Sequence, residues 1–406
     1  MSYTKKAYDA LYEVFVQGKY LHEALKVIPN DEDKALCVRI VYGVLEKNVE
    51  LEYVLSKLVQ KKPQKTVQIV LKIGLYCLRF LNSIPPYAIC DNSVKLVKEI
   101  GKAGASSFVN ATLRRAVKYD LKLPENKEER LAVKTSTPLW ITKKILKQYK
   151  DLAEPILSYK CDTRGHVRVN LLKTSKEEIE KEFILKGVDF IESENGFYVS
   201  DDSTVRELFI KGFITYQSES SIEIGKLVAK DKPRRVLDVC AAPGGKSVLI
   251  YELTKAEVIS RDTHSHRVEL IKSYADRMGA KICAEVGDGL VEKEEYVEAF
   301  DAVLVDAPCS GIGTRYSKPD VLLNRRESDI PEFTLIQEKL LNTSAKYVKR
   351  GGVIVYSTCT LFYEENERVV ERFLKENEEF SAEQTMKRLP GENSRDGFFA
   401  VRLVRK

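Results

Sequence analysis

The most informative stretch of the chain is VLDVCAAPGGKS, which runs from Val236 to Ser247. Its apolar start predicts a buried strand, its small residues predict a tight turn, and the residues that follow have a helical pattern. Alanine and glycine let a ligand approach the backbone of such a turn, and the free N–H groups at the start of a helix favour polar or anionic ligands. The stretch therefore predicts a ligand-binding turn between a strand and a helix.

Strands and helices alternate from Arg234 onward. The predicted strands are Val236–Val239, Ala256–Ser260, Ala302–Val305 and Gly352–Tyr356. This alternation predicts a doubly wound parallel sheet of the Rossmann type, with helices on both faces. Asp262 follows the second strand, where an acidic side chain can hold the hydroxyl pair of a ribose. The tripeptide GKS at 245–247 matches the end of a P-loop, but Cys240 stands where that motif needs glycine, which argues against a nucleoside triphosphatase.

Two cysteines directly follow two of these predicted strands. Cys309 lies in the motif DAPCSG at 306–311, and Cys359 lies in YSTCT at 356–360. The carboxyl ends of parallel strands form the ligand crevice of such a sheet, so we expect both thiols at that edge. A disulfide is not expected in a reducing compartment, and further ligands for a metal ion are missing. The pair favours nucleophilic catalysis, although each cysteine alone would be explained as buried apolar filler.

The rest of the chain predicts three further segments. Residues 1–125 carry apolar residues at helical spacing and predict an all-α bundle, and residues 126–160 predict a charged helical connector. In 161–225 short strands flank a helix, which indicates a small α+β subdomain before the α/β domain at 226–406. Residues 1–125 hold 20 Lys and Arg against 13 Asp and Glu, a balance of +7, whereas the remainder has a balance of −1. This excess suggests a nucleic-acid partner, and a solvated helical surface explains it equally well.

Composition excludes several classes of protein. Apolar residues make up 44% and charged residues 31% of the 406 residues, as in folded globular proteins. No apolar run approaches the roughly 20 residues that span a bilayer, and the N-terminus lacks the apolar region of a signal peptide. The eight cysteines form no C-x-x-C pair and the chain has four histidines, so a structural zinc site is not expected. We therefore expect a cytoplasmic enzyme with reduced thiols, without a membrane segment and without a metal.

Three motifs of the α/β part resemble those of a known enzyme family. LDVCAAPGGKS, DAPCSGIGT and YSTCTLFYEENERVV are similar, in this order, to the signature motifs of the S-adenosylmethionine-dependent RNA 5-methylcytosine methyltransferases. The helical part resembles the antitermination factor NusB through PPYAICDNSVKLVKEIGKAGASSFVNATLRR, and RVNLLKTS and GFITYQSESS resemble the small RNA-binding subdomain of these enzymes. The fusion of these parts is similar to the Sun/Fmu family of bacterial 16S rRNA cytosine-C5 methyltransferases.

The resemblance implies a role for each motif. Cys359 would be the nucleophile that adds to C6 of the cytosine, Cys309 would aid release of the product, and Asp306 would pair with the N3/N4 edge of the base. Asp262 would hold the ribose of S-adenosylmethionine, and Asp288 would lie at its adenine region. The remaining cofactor residues, beside Asp306, would be Cys240, Ala241, Ala242, Pro243, Gly244, Gly245 and Lys246, and Lys246 would also help to lower the pKa of Cys359. The implied partner is 16S rRNA, naked or early in assembly, bound by a monomeric enzyme.

One loop departs from the family pattern, and it bears on the substrate. The family carries an Arg-Arg pair before Pro-Asp, whereas this chain reads TRYSKPD at 314–320 and retains Arg315 and Lys318 there. The RNA contacts of this loop, and with them the target base, are therefore not implied by the resemblance. Three alternative functions stay open at this point. A tRNA methyltransferase would use the same chemistry, and a DNA cytosine methyltransferase would use the Pro-Cys thiol as nucleophile without needing Cys359. A non-catalytic RNA-binding factor would need the helical bundle alone. The NusB-like bundle favours rRNA, and the two cysteines favour an RNA methyltransferase.

Overall fold

The computed structural model describes residues 2–160, 164–200, 202–391 and 395–406, so Cys161 and the start of the predicted α+β subdomain lie outside the described residues. Two compact units account for the chain. The first comprises Met1–Ser158 with Arg315–Glu327, and the second comprises Tyr159–Thr314 with Ser328–Lys406. In the described part of the chain, no helix combines the length and the apolar character needed to cross a membrane.

The first unit is helical, as the sequence predicts for residues 1–125. Its α-helices are α1 Tyr3–Phe15, α2 Leu21–Ala24, α3 Lys34–Glu46, α4 Asn48–Leu58, α5 Lys65–Phe80, α6 Pro86–Glu99, α7 Ser106–Val117, α8 Lys127–Lys134, α9 Leu139–Tyr149 and α10 Ala153–Ser158. Leu11 of α1, Ile40 of α3 and Val70 of α5 are fully buried in its core. A Cβ atom at Gly43 would lie 2.0 Å from the ring of Tyr76, so the close packing of α3 on α5 requires glycine there.

The predicted connector and one distant segment belong to this same helical unit. Helices α8 to α10 pack with the bundle, and Arg315–Glu327 interrupts the predicted 226–406 domain to join them. Arg315 is buried, and its guanidinium donates to the Thr137 hydroxyl and to the carbonyls of Thr135 and Leu157. Arg315 is therefore not exposed for RNA contacts, because these three acceptors hold its donors inside the helical unit.

The second unit begins with a small antiparallel sheet. Its elements are β1 Gly165–Val169, α11 Lys176–Lys186, β2 Phe190–Ser193, β3 Gly196–Val199, α12 Ser203–Lys211 and β4 Ile214–Tyr216. The strands pair in the order β2-β3-β1-β4. Val167, Phe183 and Phe197 are fully buried where α11 packs on this sheet. The predicted α+β character of this region is thus present in its described residues.

A larger sheet of seven strands follows. Its strands are β5 Arg235–Asp238, β6 Glu257–Asp262, β7 Cys283–Val286, β8 Phe300–Asp306, β9 Val348–Thr358, β10 Phe380–Arg388 and β11 Phe398–Arg405, and its helices are α13 Glu219–Ala229, α14 Gly245–Thr254, α15 Ser265–Met278, α16 Ile330–Ala345 and α17 Glu367–Glu376. Apolar residues of α16 and α17 pack on one face, and those of α13 and α14 pack on the other. The predicted two-faced α/β arrangement is confirmed.

The strand order is β10-β11-β9-β8-β5-β6-β7. Five neighbouring strands, from β9 to β7, are parallel, whereas β11 pairs antiparallel with both β9 and β10. The predicted parallel sheet is confirmed for these five strands, whereas the sequence prediction does not include β10 and β11. This hairpin follows α17, and its strand β11 runs opposite to the other strands and covers the outer edge of β9. The chain reverses its direction of travel across the sheet between β5 and β8, and the carboxyl ends of parallel strands at such a reversal form the binding crevice.

Candidate active site

Three aspartates end three neighbouring parallel strands at one edge of the large sheet. Asp238 ends β5, Asp262 ends β6 and Asp306 ends β8. Cys359 comes directly after β9, whose residue Ser357 is in register with Asp306. Three sequence-predicted positions, Asp262, Asp306 and Cys359, are thus delivered to the same edge by neighbouring strands, and Asp238 joins them there.

The glycine-rich turn lies between β5 and α14. Gly244 has φ +105°, a backbone conformation that residues with a Cβ atom rarely adopt, and its N–H donates to the Ala241 carbonyl at 2.7 Å. The Ala242 N–H donates to Asp262 Oδ2 at 3.4 Å, which ties the turn to the end of β6. Burial raises the pKa of the Cys240 thiol, so this cysteine stays protonated and is a poor nucleophile.

Two carboxylate oxygens at this edge are buried without a hydrogen-bond partner among the described residues: Asp238 Oδ1 and Asp262 Oδ1. Arg267 Nη1 lies 3.3 Å from Asp262 Oδ1 as an ion pair, but the geometry is not that of a hydrogen bond. Buried acceptors without donors are costly, and a ligand with hydroxyl or ammonium donors would satisfy them. The residues present therefore fit the ribose and amino groups of S-adenosylmethionine.

Asp288 differs from the other aspartates because it is exposed. Its Oδ1 accepts the Leu290 N–H at 2.9 Å, which is the bond of a local turn. The Gly287 N–H donates to the Asp262 carbonyl at 3.0 Å, so the turn after β7 lies beside the end of β6. Asp288 is therefore next to the predicted cofactor residues in the fold, at their solvent-facing side.

Lys246 and Asp306 form an ion pair of 2.6 Å between Nζ and Oδ2. The Ser357 hydroxyl donates to Asp306 Oδ1 at 2.7 Å, so both oxygens of this carboxylate are held. Burial by itself would lower the pKa of Lys246, but the nearby Asp306, Asp238 and Cys359 raise it above its usual value. Lys246 is thus a cation paired with the carboxylate of Asp306, and the charge of a thiolate at Cys359 would further favour its charged form.

The two predicted catalytic thiols are in contact. Cys309 Sγ and Cys359 Sγ lie 3.4 Å apart, with Cys309 buried and Cys359 partly exposed. The hydrogen bond with Cys359 and burial raise the pKa of Cys309 well above its usual value, so Cys309 keeps its proton. One thiol of the pair is thus positioned to donate to the other.

The sequence assigns no role to two further residues, Asp238 and Glu365, although both lie within the signature motifs. Asp238 appears there as part of LDVC, and Glu365 appears in YSTCTLFYEENERVV. Neither could be recognised from spacing, because the feature that distinguishes them is burial: Asp238 is 1% exposed and Glu365 is 0% exposed. Within the described ranges, no group of three or more His, Cys, Asp or Glu side chains is placed to hold a metal ion.

Comparison with known proteins identifies both parts of the chain. Residues 226–404 match the family model described as 16S rRNA methyltransferase RsmB/F, and residues 3–118 match the NusB family. The probable ribosomal RNA small subunit methyltransferase B of Bacillus subtilis is 35% identical over 89% of this chain and 84% of its own. The ribosomal RNA small subunit methyltransferase B of Klebsiella pneumoniae is 28% identical over 98% of this chain and 97% of its own.

Solved structures share the fold of this chain. The crystal structure of the protein PH0851 superposes with a TM-score of 0.86 and 26% identity, covering 100% of this chain and 99% of its own. A methyltransferase homolog from Pyrococcus horikoshii, 23% identical with a TM-score of 0.61 over 70% of this chain and 100% of its own, shares the fold. The chain therefore belongs to the ribosomal RNA small subunit methyltransferase B family, and it is an S-adenosylmethionine-dependent RNA methyltransferase with a NusB-type helical domain.

Proposed function

We propose that this chain methylates C5 of a cytosine in 16S rRNA through a transient covalent bond between Cys359 and C6 of the base. The observation that carries the proposal is the 3.4 Å separation of the Cys309 and Cys359 sulfurs beside the ends of β8 and β9. A reaction that joins a thiol to a base and later expels it needs a nucleophile and a second proton-handling group within reach of one ring. The two thiols meet that need.

Cys359 is the nucleophile in this proposal. C5 of cytosine is a poor nucleophile, and a C–S bond from Cys359 to C6 makes C5 electron-rich enough to take a methyl group. S-adenosylmethionine, when bound, supplies that group on a sulfonium. The C5 proton then passes to water, the electron pair of the C5–H bond restores the C5–C6 double bond, the C6–S bond breaks, and Cys359 leaves as the thiolate. Lys246 supports this role because its positive charge interacts favourably with a thiolate at Cys359.

Cys309 and Asp306 handle protons around the same base. Cys309 retains its proton and can donate to the sulfur of Cys359 or exchange with the base when the adduct breaks down. Asp306, held by Ser357 and Lys246, can present its carboxyl group to the N3/N4 edge, where protonation favours attack at C6. Both assignments place a general acid–base group beside the nucleophile.

The cofactor residues are those predicted from the sequence: the turn Cys240–Lys246, Asp262, Asp288 and Asp306. The strongest support is for Asp262, whose buried Oδ1 lacks a hydrogen-bond donor among the described residues. The support for Asp288 is its position beside the end of β6. Asp238, with a similar unpartnered oxygen, lies at the same edge of the sheet.

The choice of 16S rRNA rests on the helical domain and on the relatives. NusB-type residues 3–118 precede the catalytic part, and relatives over nearly the full length are named as small-subunit rRNA enzymes. A tRNA substrate would use the same thiols and is the alternative that mapping of the modified base decides. A non-catalytic factor would have no use for two thiols in contact. We further propose that the enzyme acts as a monomer on naked or early-assembly RNA.

Separate serine substitutions of the two thiols test the proposal. Cys359→Ser should abolish methylation and form no adduct, because a hydroxyl of far higher pKa cannot add to C6 at neutral pH. In Cys309→Ser, Cys359 should still attack C6 and the methyl group should still be transferred, but expulsion of the Cys359 thiolate should stall. It should therefore accumulate a protein–RNA adduct that survives denaturing electrophoresis. Cys283→Ser, at an exposed cysteine on β7, is the matched control and should behave like the unsubstituted protein.

The opposite pattern, an adduct with Cys359→Ser and none with Cys309→Ser, would assign the nucleophile to the Pro-Cys motif. Unchanged turnover in both variants would refute the covalent mechanism altogether. Mapping the methylated position separates the two substrates: 5-methylcytosine in 16S RNA supports the proposal, and 5-methylcytosine in tRNA supports the alternative.

A further inference from the structure

A fully buried carboxylate, that of Glu365, lies between the two loops that carry the thiols. Its Oε1 accepts the backbone N–H of Ser310 at 2.8 Å, and its Oε2 accepts the Ser310 hydroxyl at 2.6 Å. Oε2 also accepts the Thr360 hydroxyl at 3.2 Å. Ser310 follows Cys309 and Thr360 follows Cys359, so one carboxylate bonds to the residue after each thiol.

The network around Glu365 extends to the elements that carry these loops. Gln337 of α16 donates from Nε2 to Glu365 Oε1 at 3.2 Å and to the Pro308 carbonyl at 3.0 Å. The hydroxyl of Tyr356, on β9, donates to the Glu365 carbonyl at 2.6 Å. The Pro-Cys loop is thus held on both sides of its thiol, and the strand that leads to Cys359 is tied to the same residue.

Burying such a carboxylate lowers the stability of the fold. Burial raises the pKa of Glu365, against the hydrogen bonds from Ser310, Gln337 and Thr360 that lower it. An apolar residue of similar size in such a position commonly costs less stability than a buried charge. A buried polar group whose acceptors are all used, however, locks the geometry of the groups that donate to it. The groups locked here are the neighbours of Cys309 and Cys359.

We propose that Glu365 is a positioning residue for the covalent step: its carboxylate clamps the Cys309 loop to the Cys359 loop and keeps both sulfurs within reach of one base. This inference rests on the thiol mechanism proposed above. Glu365 acts through Ser310 and Thr360, whose bonds to it fix the backbone on which the thiols are carried. Loss of the clamp should therefore change the distance between the sulfurs and leave the affinity for the cofactor largely unchanged.

The first test measures that distance directly in the free, full-length protein. Diamide, a two-electron oxidant of thiols, joins neighbouring cysteines into a disulfide, and mass spectrometry follows the Cys309–Cys359 bridge. Sulfurs 3.4 Å apart need a small approach to reach the bond length of about 2.0 Å. In E365Q, whose amide nitrogen cannot accept the hydrogen bonds, bridging should slow on the order of tenfold. E371Q, on the exposed side of α17, is the matched control and should bridge at the original rate.

The second test measures catalysis. Single-turnover methylation by E365Q should fall about 100-fold, the scale expected for a displacement near 1 Å, while the Kd for S-adenosylmethionine stays within about twofold. If E365Q does not fold, T360V removes one hydroxyl link and keeps the carboxylate. T360V should slow both disulfide bridging and methylation, each by a smaller factor than E365Q. The melting temperature of T360V checks that this variant is folded.

The outcomes separate this inference from the proposed function. A folded E365Q that bridges and methylates at the original rates would overturn the positioning role. Slower bridging in E365Q, combined with no adduct in either the unsubstituted protein or Cys309→Ser, would support the clamp and refute the covalent mechanism. Slower bridging and slower methylation with unchanged cofactor affinity is the result expected if both hold.

Discussion

Asp238 offers a test of how this sheet edge is built, because its carboxyl group is buried beside other acids. It is 1% exposed at the end of β5, and the Ser247 hydroxyl donates to its Oδ2 at 2.6 Å. Burial raises its pKa from the usual 3.8 to about 7, with Asp306 contributing in the same direction. We expect Asp238→Asn, which keeps the shape and cannot ionise, to stabilise the free protein at alkaline pH.

The sign and the size follow from linkage. A carboxyl group with a raised pKa favours the folded state only while protonated, so its contribution is fully present below about pH 4 and is lost as the pH rises to about 7. At 1.36 kcal/mol per pH unit, the full loss at pH 8 is about 4 kcal/mol. About half of that is already lost at pH 5.5. The advantage of Asp238→Asn should thus grow by about 2 kcal/mol between pH 5.5 and pH 8.

Thermal melting of the cofactor-free protein at the two pH values measures this growth. A gain of about 2 kcal/mol corresponds to about 4–8 °C for a unit of this size. Asp288→Asn, at an exposed aspartate of the same sheet edge, is the control and should show no comparable pH dependence. If Asp238→Asn changed the melting temperature equally at pH 5.5 and pH 8, the reasoning about a buried carboxyl group with a raised pKa would be refuted.

Two further predictions concern ligands. Asp262→Ala should weaken S-adenosylmethionine binding by about 1–3 kcal/mol in calorimetry, because the ribose donors would be left unpaired. Arg267→Ala is the control: it removes a half-exposed ion-pair partner and should weaken binding by less than about 1 kcal/mol. Equal effects of the two substitutions would contradict a direct role for Asp262. Replacing Arg114, Arg115 and Lys118, exposed at the end of α7, with glutamine should weaken RNA binding and reduce its salt slope by up to about 3, without changing cofactor affinity. An unchanged slope would mean that the basic excess of the helical domain is a solvated surface.

Local patterns in the chain were enough to predict the main organisation. The turn at Cys240–Lys246 could be read from small residues between an apolar run and a helical pattern, because strands, turns and helices have short-range signatures. The expectation that the ends of β8 and β9 share one edge followed from the rule for parallel sheets. The roles of Cys309 and Cys359 came from the resemblance, and they remain proposals.

Contacts between distant parts of the chain could not be read in this way. The hairpin of β10 and β11 completes the sheet through antiparallel pairings, and the type of pairing is a property of two neighbouring strands that the residues of one strand do not reveal. The segment Arg315–Glu327 leaves its sequence neighbours for the helical unit, because Arg315 finds its acceptors there.

The chemistry of the site depends on such contacts as well. The 3.4 Å contact of the two sulfurs, the clamp of Glu365 and the raised pKa of Asp238 arise because β8, β9 and β5 lie side by side. Residue type and spacing along the chain identify which groups can react. Burial and neighbours, which set proton affinity and distance, are properties of the packed sheet.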